Sequence, residues 1–142
     1  MKKNISIPIL LVLFSLSLFS CKKDETYPQH EKPNWEISEI ENVQVNFSAI
    51  FDLESNLSVY IAENDELAAF VGNDCRGTAT LINDLFHITV KGTADENSKV
   101  TFRYYSSTTK YMYEAIDYVD FEANITLGTI DNPEVLALTL RK

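Results

Sequence analysis

The chain has 142 residues, one domain's worth, and carries a formal charge of −9 from 12 Lys and Arg against 21 Asp and Glu. A surface this acidic repels phosphate backbones, which excludes nucleic acid as a partner. The acids all lie after Cys21, so removal of residues 1–20 takes away only Lys2 and Lys3 and moves the charge from −9 to −11.

The first element is a leader. Lys2-Lys3 is followed by an apolar run from Ile5 to Phe19, broken only by Ser6, Pro8, Ser15 and Ser17. The run is short for a bilayer span, which needs about 20 apolar residues. It ends in Leu18-Phe19-Ser20-Cys21, which resembles a lipobox: a small residue before the cleavage point, then Cys. The resemblance implies a lipoprotein signal peptide over 1–20, diacylglycerol on the Cys21 thiol, and a membrane partner held through that N-terminal lipid. Acyl chains bind bilayers at about 0.8 kcal/mol per buried methylene, so several of them anchor a domain stably. Lys22-Lys23-Asp24-Glu25 resembles the signal that sends Bacteroidetes lipoproteins to the outside of the outer membrane; a solvated linker is the other reading.

Residues 21–34 then read as a lipidated tether. Pro28 and Pro33, mixed charge and little apolar content give no core of its own. Fully extended, the 13 residues after Cys21 reach on the order of 40 Å.

From Trp35 to Lys142 the pattern has period two. Apolar residues alternate with others through 43–51, 57–61, 86–90, 100–104 and 136–140, which predicts strands with one face buried. Two continuous segments, 66–71 and 76–82, predict strands nearer the centre of a sheet. Between them stand turn sequences such as Gly72-Asn73-Asp74 and Asn83-Asp84. The count is eight or nine strands at spacings of about 8–12 residues, with no amphipathic helix, which predicts an all-β antiparallel sandwich. A closed barrel shares this pattern.

Asp65-Glu66-Leu67-Ala68-Ala69-Phe70-Val71, followed by Gly72-Asn73-Asp74-Cys75-Arg76-Gly77, resembles a β-sandwich module of secreted and surface proteins in Bacteroidetes. Further matches are Phe121-Glu122-Ala123-Asn124, Leu127-Gly128-Thr129 and Pro133-Glu134-Val135-Leu136. The resemblance covers most of 43–140 and implies a sandwich with no established catalytic activity.

Candidate chemistry is sparse. With Cys21 acylated, Cys75 has no disulfide partner. It reads as a reactive thiol beside Arg76 or, the favoured reading, as a small buried residue. Gly77 next to it fits a bulge or a close backbone approach. Arg76 reads as a structural arginine paired with Asp65 or Asp74, or as a contact for a ligand carboxylate or sugar. The acidic turns Glu63–Glu66 and Asp95–Asn97 offer oxygen donors to Ca²⁺, but neither completes a known Ca²⁺ loop. His30 falls in the tether and His87 on the outward face of a strand. No catalytic, metal or cofactor motif is present.

The tyrosines are the most suggestive feature. Tyr104, Tyr105, Tyr111, Tyr113 and Tyr118 fall within fifteen positions. Tyrosine joins an apolar face to a polar tip and suits wet interfaces and sugar stacking. Alternation places Tyr105 outward if Tyr104 is inward, and puts Tyr111 and Tyr113 on one face. Tyr105, Tyr111, Tyr113 and Arg76 are therefore the expected ligand contacts. The reading is a non-enzymatic lipoprotein on the outer membrane surface, without metal or cofactor, binding an extracellular glycan or protein. An accessory subunit of an envelope assembly and a small carboxylate hydrolase are the alternatives.

Overall fold

Alternation in 43–51 becomes strand β1 (Val45–Leu53), which buries Phe47, Ala49, Phe51 and Leu53 on one side. The computed structural model describes residues 26–142, and their strands form an all-β sandwich of two mostly antiparallel sheets. Beside β1 in the first sheet run β5 (Leu85–Gly92) and then β4 (Thr80–Ile82). On its other side lie β9 (Thr126–Leu127) and β10 (Glu134–Leu136), both parallel to β1. The second sheet runs β11 (Leu138–Leu140), β7 (Met112–Ala115), β6 (Lys99–Tyr105), β2 (Glu66–Val71) and β3 (Asp74–Thr78), with β8 (Val119–Asp120) on the start of β6.

Edge-to-face rings fill the space between the sheets: Phe51 on Phe102 at 4.8 Å, Phe47 on Phe121 at 5.4 Å and Phe86 on Tyr104 at 5.8 Å. Each such pair adds about 0.5–1.5 kcal/mol beyond its burial. Two of the expected turns have the backbone their residues favour. Asn83 and Asp84 both have positive φ (50° and 62°), the two-residue primed turn that joins twisted strands, here β4 and β5. Gly72 (φ 61°) turns β2 into β3.

Three expectations are corrected. Residues 57–61 are not a strand. Ser55–Ser58 form one helical turn, α1, after which Val59 and Tyr60 stand 73% and 69% exposed. Leu57 and Ile61 still pack on the core, because a spacing of four also puts them on one face of a helical turn. Second, 76–82 is not one central strand. It is β3 followed by β4, each at the edge of a different sheet, so the chain crosses between the sheets at Ala79. Third, the described residues form eleven strands and not the eight or nine expected, because 136–140 is divided at Ala137 between β10 and β11 and short strands such as β8 and β9 have only two residues each.

The crossing explains Gly77. A Cβ there would lie 2.2 Å from the carbonyl oxygen of Thr89 in β5, so only glycine permits the approach. Gly77→Ala is expected to lower stability by about 3 kcal/mol, the upper end of overpacking costs, because the obstacle is backbone. At Gly72 a Cβ would meet nothing within 4 Å, so Gly72→Ala should cost only the left-handed penalty of about 1 kcal/mol. Urea midpoints of the two variants check the order; equal losses would contradict the packing account.

Candidate functional site

Residues 26–41 have no regular structure, but they are not a free spacer: from Thr26 on they lie against the domain. The His30 amide donates to the Lys110 carbonyl at 2.8 Å, the Gln29 side chain to the Thr109 carbonyl at 3.3 Å, and the Ser38 amide to the Cys75 carbonyl at 2.8 Å. Lys32 pairs with Glu66 at 2.9 Å, and Trp35 meets Phe70 edge to face at 5.7 Å. This strap covers the outer face of the second sheet. Under it Ala68, Phe70 and Cys75 form a second, smaller apolar cluster, with the Arg103 guanidinium 4.2 Å from the Phe70 ring centre.

That cover changes the fate of the expected ligand contacts. Tyr105 does face outward, opposite Tyr104, but it is only 3% exposed, and its hydroxyl lies 3.5 Å from the His30 carbonyl under the strap. Tyr113 points the other way, its ring 5.6 Å from that of Tyr104 at the edge of the main core, and burial raises the pKa of its phenol. Tyr111 is half-buried. The three do not make an exposed platform. Cys21 lies outside the described residues.

Arg76 is also committed inward. Ala69 pairs with Gly77 while Phe70 pairs with Cys75, so Arg76 is the extra residue of a β-bulge. The bulge lets Cys75, Arg76 and Gly77 all be buried in sequence. Arg76 Nη1 donates to Glu96 Oε2 at 3.2 Å and to the Lys91 carbonyl at 3.4 Å. Its partner is therefore Glu96 and not the expected Asp65 or Asp74. Burial alone would push the Glu96 carboxyl up, but the Ser98 hydroxyl, the Thr93 amide and Arg76 together hold it below its ordinary value. Asp65, the other acid of interest, is buried and accepts from the Ala62 amide, the Tyr104 hydroxyl, and the amide and hydroxyl of Ser107. Burial first, then this carboxylate, raises the Tyr104 phenol far above its ordinary value. Both acidic turns thus spend a carboxylate on the fold. Cys75 is buried, and burial pushes its thiol up, which opposes the thiolate a reactive cysteine needs.

The feature sequence reading missed is a cleft of about 340 Å³ on the opposite margin of the sandwich from Gly77. The rings of Phe51 and Phe102 reach it from the core, and Leu127, Leu136 and Ala137 line its wall. Tyr118 (51% exposed) and Val135 (64%) stand at its mouth with the exposed carboxylates of Asp117 and Glu134. Lys99 lies over the Tyr118 ring, Nζ 3.2 Å from its centre, and reaches Asp120 at 3.8 Å. Ile116, next in the chain to Asp117, is a further exposed apolar side chain. The sequence signal for this site was Tyr118 itself, which with Tyr104 was one of the two tyrosines of the cluster outside the expected contacts. The chain matches no protein-family model, no curated protein and no solved structure.

The Arg76–Glu96 pair gives a stability prediction with a definite sign. A carboxyl whose pKa is lowered on folding adds stability above its unfolded pKa and loses it as pH falls through the folded one. Acidification from about pH 6 to about pH 3 should therefore lower the urea midpoint, and Glu96→Gln should make that slope shallower. Arg76→Leu strands a buried carboxylate and is expected to cost about 3–5 kcal/mol at neutral pH. As a readout of the strap, a disulfide reagent at about pH 8 should label native Cys75 at least roughly 10-fold more slowly than the urea-unfolded chain. Trp35→Ala should narrow that gap.

Proposed function

We propose that this chain is a non-enzymatic lipoprotein, acylated at Cys21 and held on the outer membrane surface, whose cleft binds an extracellular protein. The anchor rests on the lysines, apolar run and Ser20-Cys21 of the leader. The binding role rests on one observation: a cleft lined mainly by apolar side chains, above the buried rings of Phe51 and Phe102, opens to water between Tyr118 and Val135. Exposed apolar side chains grouped around such an opening are the usual mark of a contact surface. Among the described residues, its only charged lining groups are Asp117 and Glu134. The complementary ligand presents an apolar side chain beside a Lys or Arg, which a protein segment supplies more readily than a sugar.

The non-enzymatic reading has a physical basis too. A carboxylate hydrolase needs one acid kept protonated by an apolar setting. Asp117 and Glu134 are both exposed to water. A glycan ligand is the second reading, favoured by the half-exposed ring of Tyr118 and by the open outer face of the first sheet, where Ser48, Thr80, Thr89 and Thr126 surround His87.

The test is a displayed peptide library and a glycan array screened against the non-acylated chain, residues 22–142. Peptides with an apolar residue next to Lys or Arg are expected to be enriched. Val135→Glu should weaken them at least 10-fold, about 1.4 kcal/mol, while Tyr105→Phe leaves them unchanged. Glycan hits lost in Tyr118→Ala, with no peptide enrichment, would replace the protein reading with the glycan one. Binders indifferent to both Val135→Glu and Tyr118→Ala would remove the cleft from consideration.

A further inference from the structure

The strand registers fix which features share an end of the second sheet. β6 runs from Lys99 to Tyr105; its first residues pair with β8, and its last residues pair with Met112 of β7 and Glu66 of β2. The segment Asp117–Val119 at the cleft mouth therefore lies at the Lys99 end. The turn Ser106–Lys110, the start of β2 and the chain's C-terminus lie at the Tyr105 end, because β11 runs antiparallel to β7 and finishes past Tyr113. The two ends are separated by the length of β6, about 20 Å for seven residues.

The strap joins the domain at the Tyr105 end. Gln29 and His30 bond to Thr109 and Lys110, Lys32 pairs with Glu66, and Thr26 to Pro28 share a hollow with Lys142. Only five residue steps separate Cys21 from Thr26. Whatever their shape, they span at most about 18 Å, against about 45 Å if the chain were free as far as Asn34. A domain of this size is about 35 Å across. The shorter leash is half that diameter and holds its point of attachment down; the longer one would let the domain turn over freely.

Exposed charge leans the same way. The Tyr105 end carries Lys32, Lys110, Arg141 and Lys142, four of the eight Lys and Arg residues in 26–142, beside Glu31, Glu63 and Glu66 and the buried Asp65. At the Lys99 end the exposed acids Asp95, Asp117, Asp120 and Glu122 outnumber Lys91 and Lys99, while Glu96 is paired with the buried Arg76. Cations near an anionic leaflet are attracted, by about 1 kcal/mol each close to the surface, and acids are repelled.

We infer that the docked strap seats the Tyr105 end of the domain, with Lys110 and Arg141, against an anionic lipid headgroup surface, so that the cleft at the Lys99 end faces away from the membrane. This rests on the lipoprotein reading of Cys21. It gives the anchored protein one orientation and presents the cleft to partners outside.

Energy transfer on the acylated, full mature protein tests it. Single dyes are placed at Thr108→Cys and Asp95→Cys, both exposed turn positions at opposite ends, in vesicles of phosphatidylglycerol and phosphatidylethanolamine with an acceptor on the headgroups. Buried Cys75 stays unlabelled under native conditions. Transfer from position 108 should exceed that from 95 at least two-fold. A Lys32→Glu/Trp35→Ala double variant, which loosens the strap, should lose most of that difference. Equal or reversed transfer in the wild type overturns the orientation, and so does a strap variant that keeps the full difference. Flotation with the vesicles separates the premise: a wild type that fails to float, like its Cys21→Ser control, overturns the anchor and the orientation with it, whereas floating protein with equal transfer overturns the orientation alone.

Discussion

The close approach of Gly77 to the Thr89 carbonyl is the constraint on which the rest of this structure depends. It lets the chain leave the second sheet at β3 and enter the first at β4 within three residues. The bulge at Arg76 is the other half of the same manoeuvre. An extra residue bends the strand and raises its twist, so β3 can turn toward β5. Once the bend is made, Cys75 faces the strap and Arg76 faces Glu96. The buried ion pair is thus a consequence of the crossing. Its net worth against an apolar pair is small, since desolvation offsets most of the attraction. What it does is close the loop from Thr93 to Ser98 over the bulge, with Glu96 collecting three donors there.

The second sheet is buried on both faces, and that requirement reaches back to the N-terminal segment. Phe70 and Ala68 point away from the main core, so something must cover them. Trp35 does so, and the strap on either side is held by hydrogen bonds and one exposed ion pair worth at most about 1 kcal/mol. Pro28 and Pro33 reduce the freedom the strap loses on docking, which makes a cover with no secondary structure tenable. A composition that reads as a linker is here compatible with an ordered path, because order is supplied by the surface beneath.

Legibility in the sequence follows this division. β1, β5 and β6 were readable because alternate residues of each face the main core and alternation reports that directly. β2 was readable as a strand buried on both sides, and the structure gives the same bounds, Glu66–Val71. Where burial came from a cover distant in sequence, the reading failed. Tyr105 was correctly placed outward, but outward from this sheet means under His30, seventy-five positions away. Arg76 reads as a structural arginine or a ligand contact and stands among the expected contacts; it is paired instead, with a partner twenty positions on, whereas proximity in sequence points to Asp65 and Asp74. At 57–61, five residues were too few to separate a period of two from a spacing of four.

The cleft is best understood by comparing the two places where the chain changes sheets across a single residue, Ala79 and Ala137. At the first, glycine allows β3 and β5 to touch, and no space is left. At the second, Ala137 carries the chain from β10 to β11, and the strands on either side, β8 and β10, have two and three residues. Strands that short leave the margin open above the buried rings of Phe51 and Phe102, and the cleft forms there. Stability alone would favour closing this margin as the other is closed, because Tyr118 and Val135 gain nothing from water. The exposed apolar mouth therefore costs the free chain some stability, and that asymmetry between the two crossings is the physical argument for the recognition role proposed for the cleft.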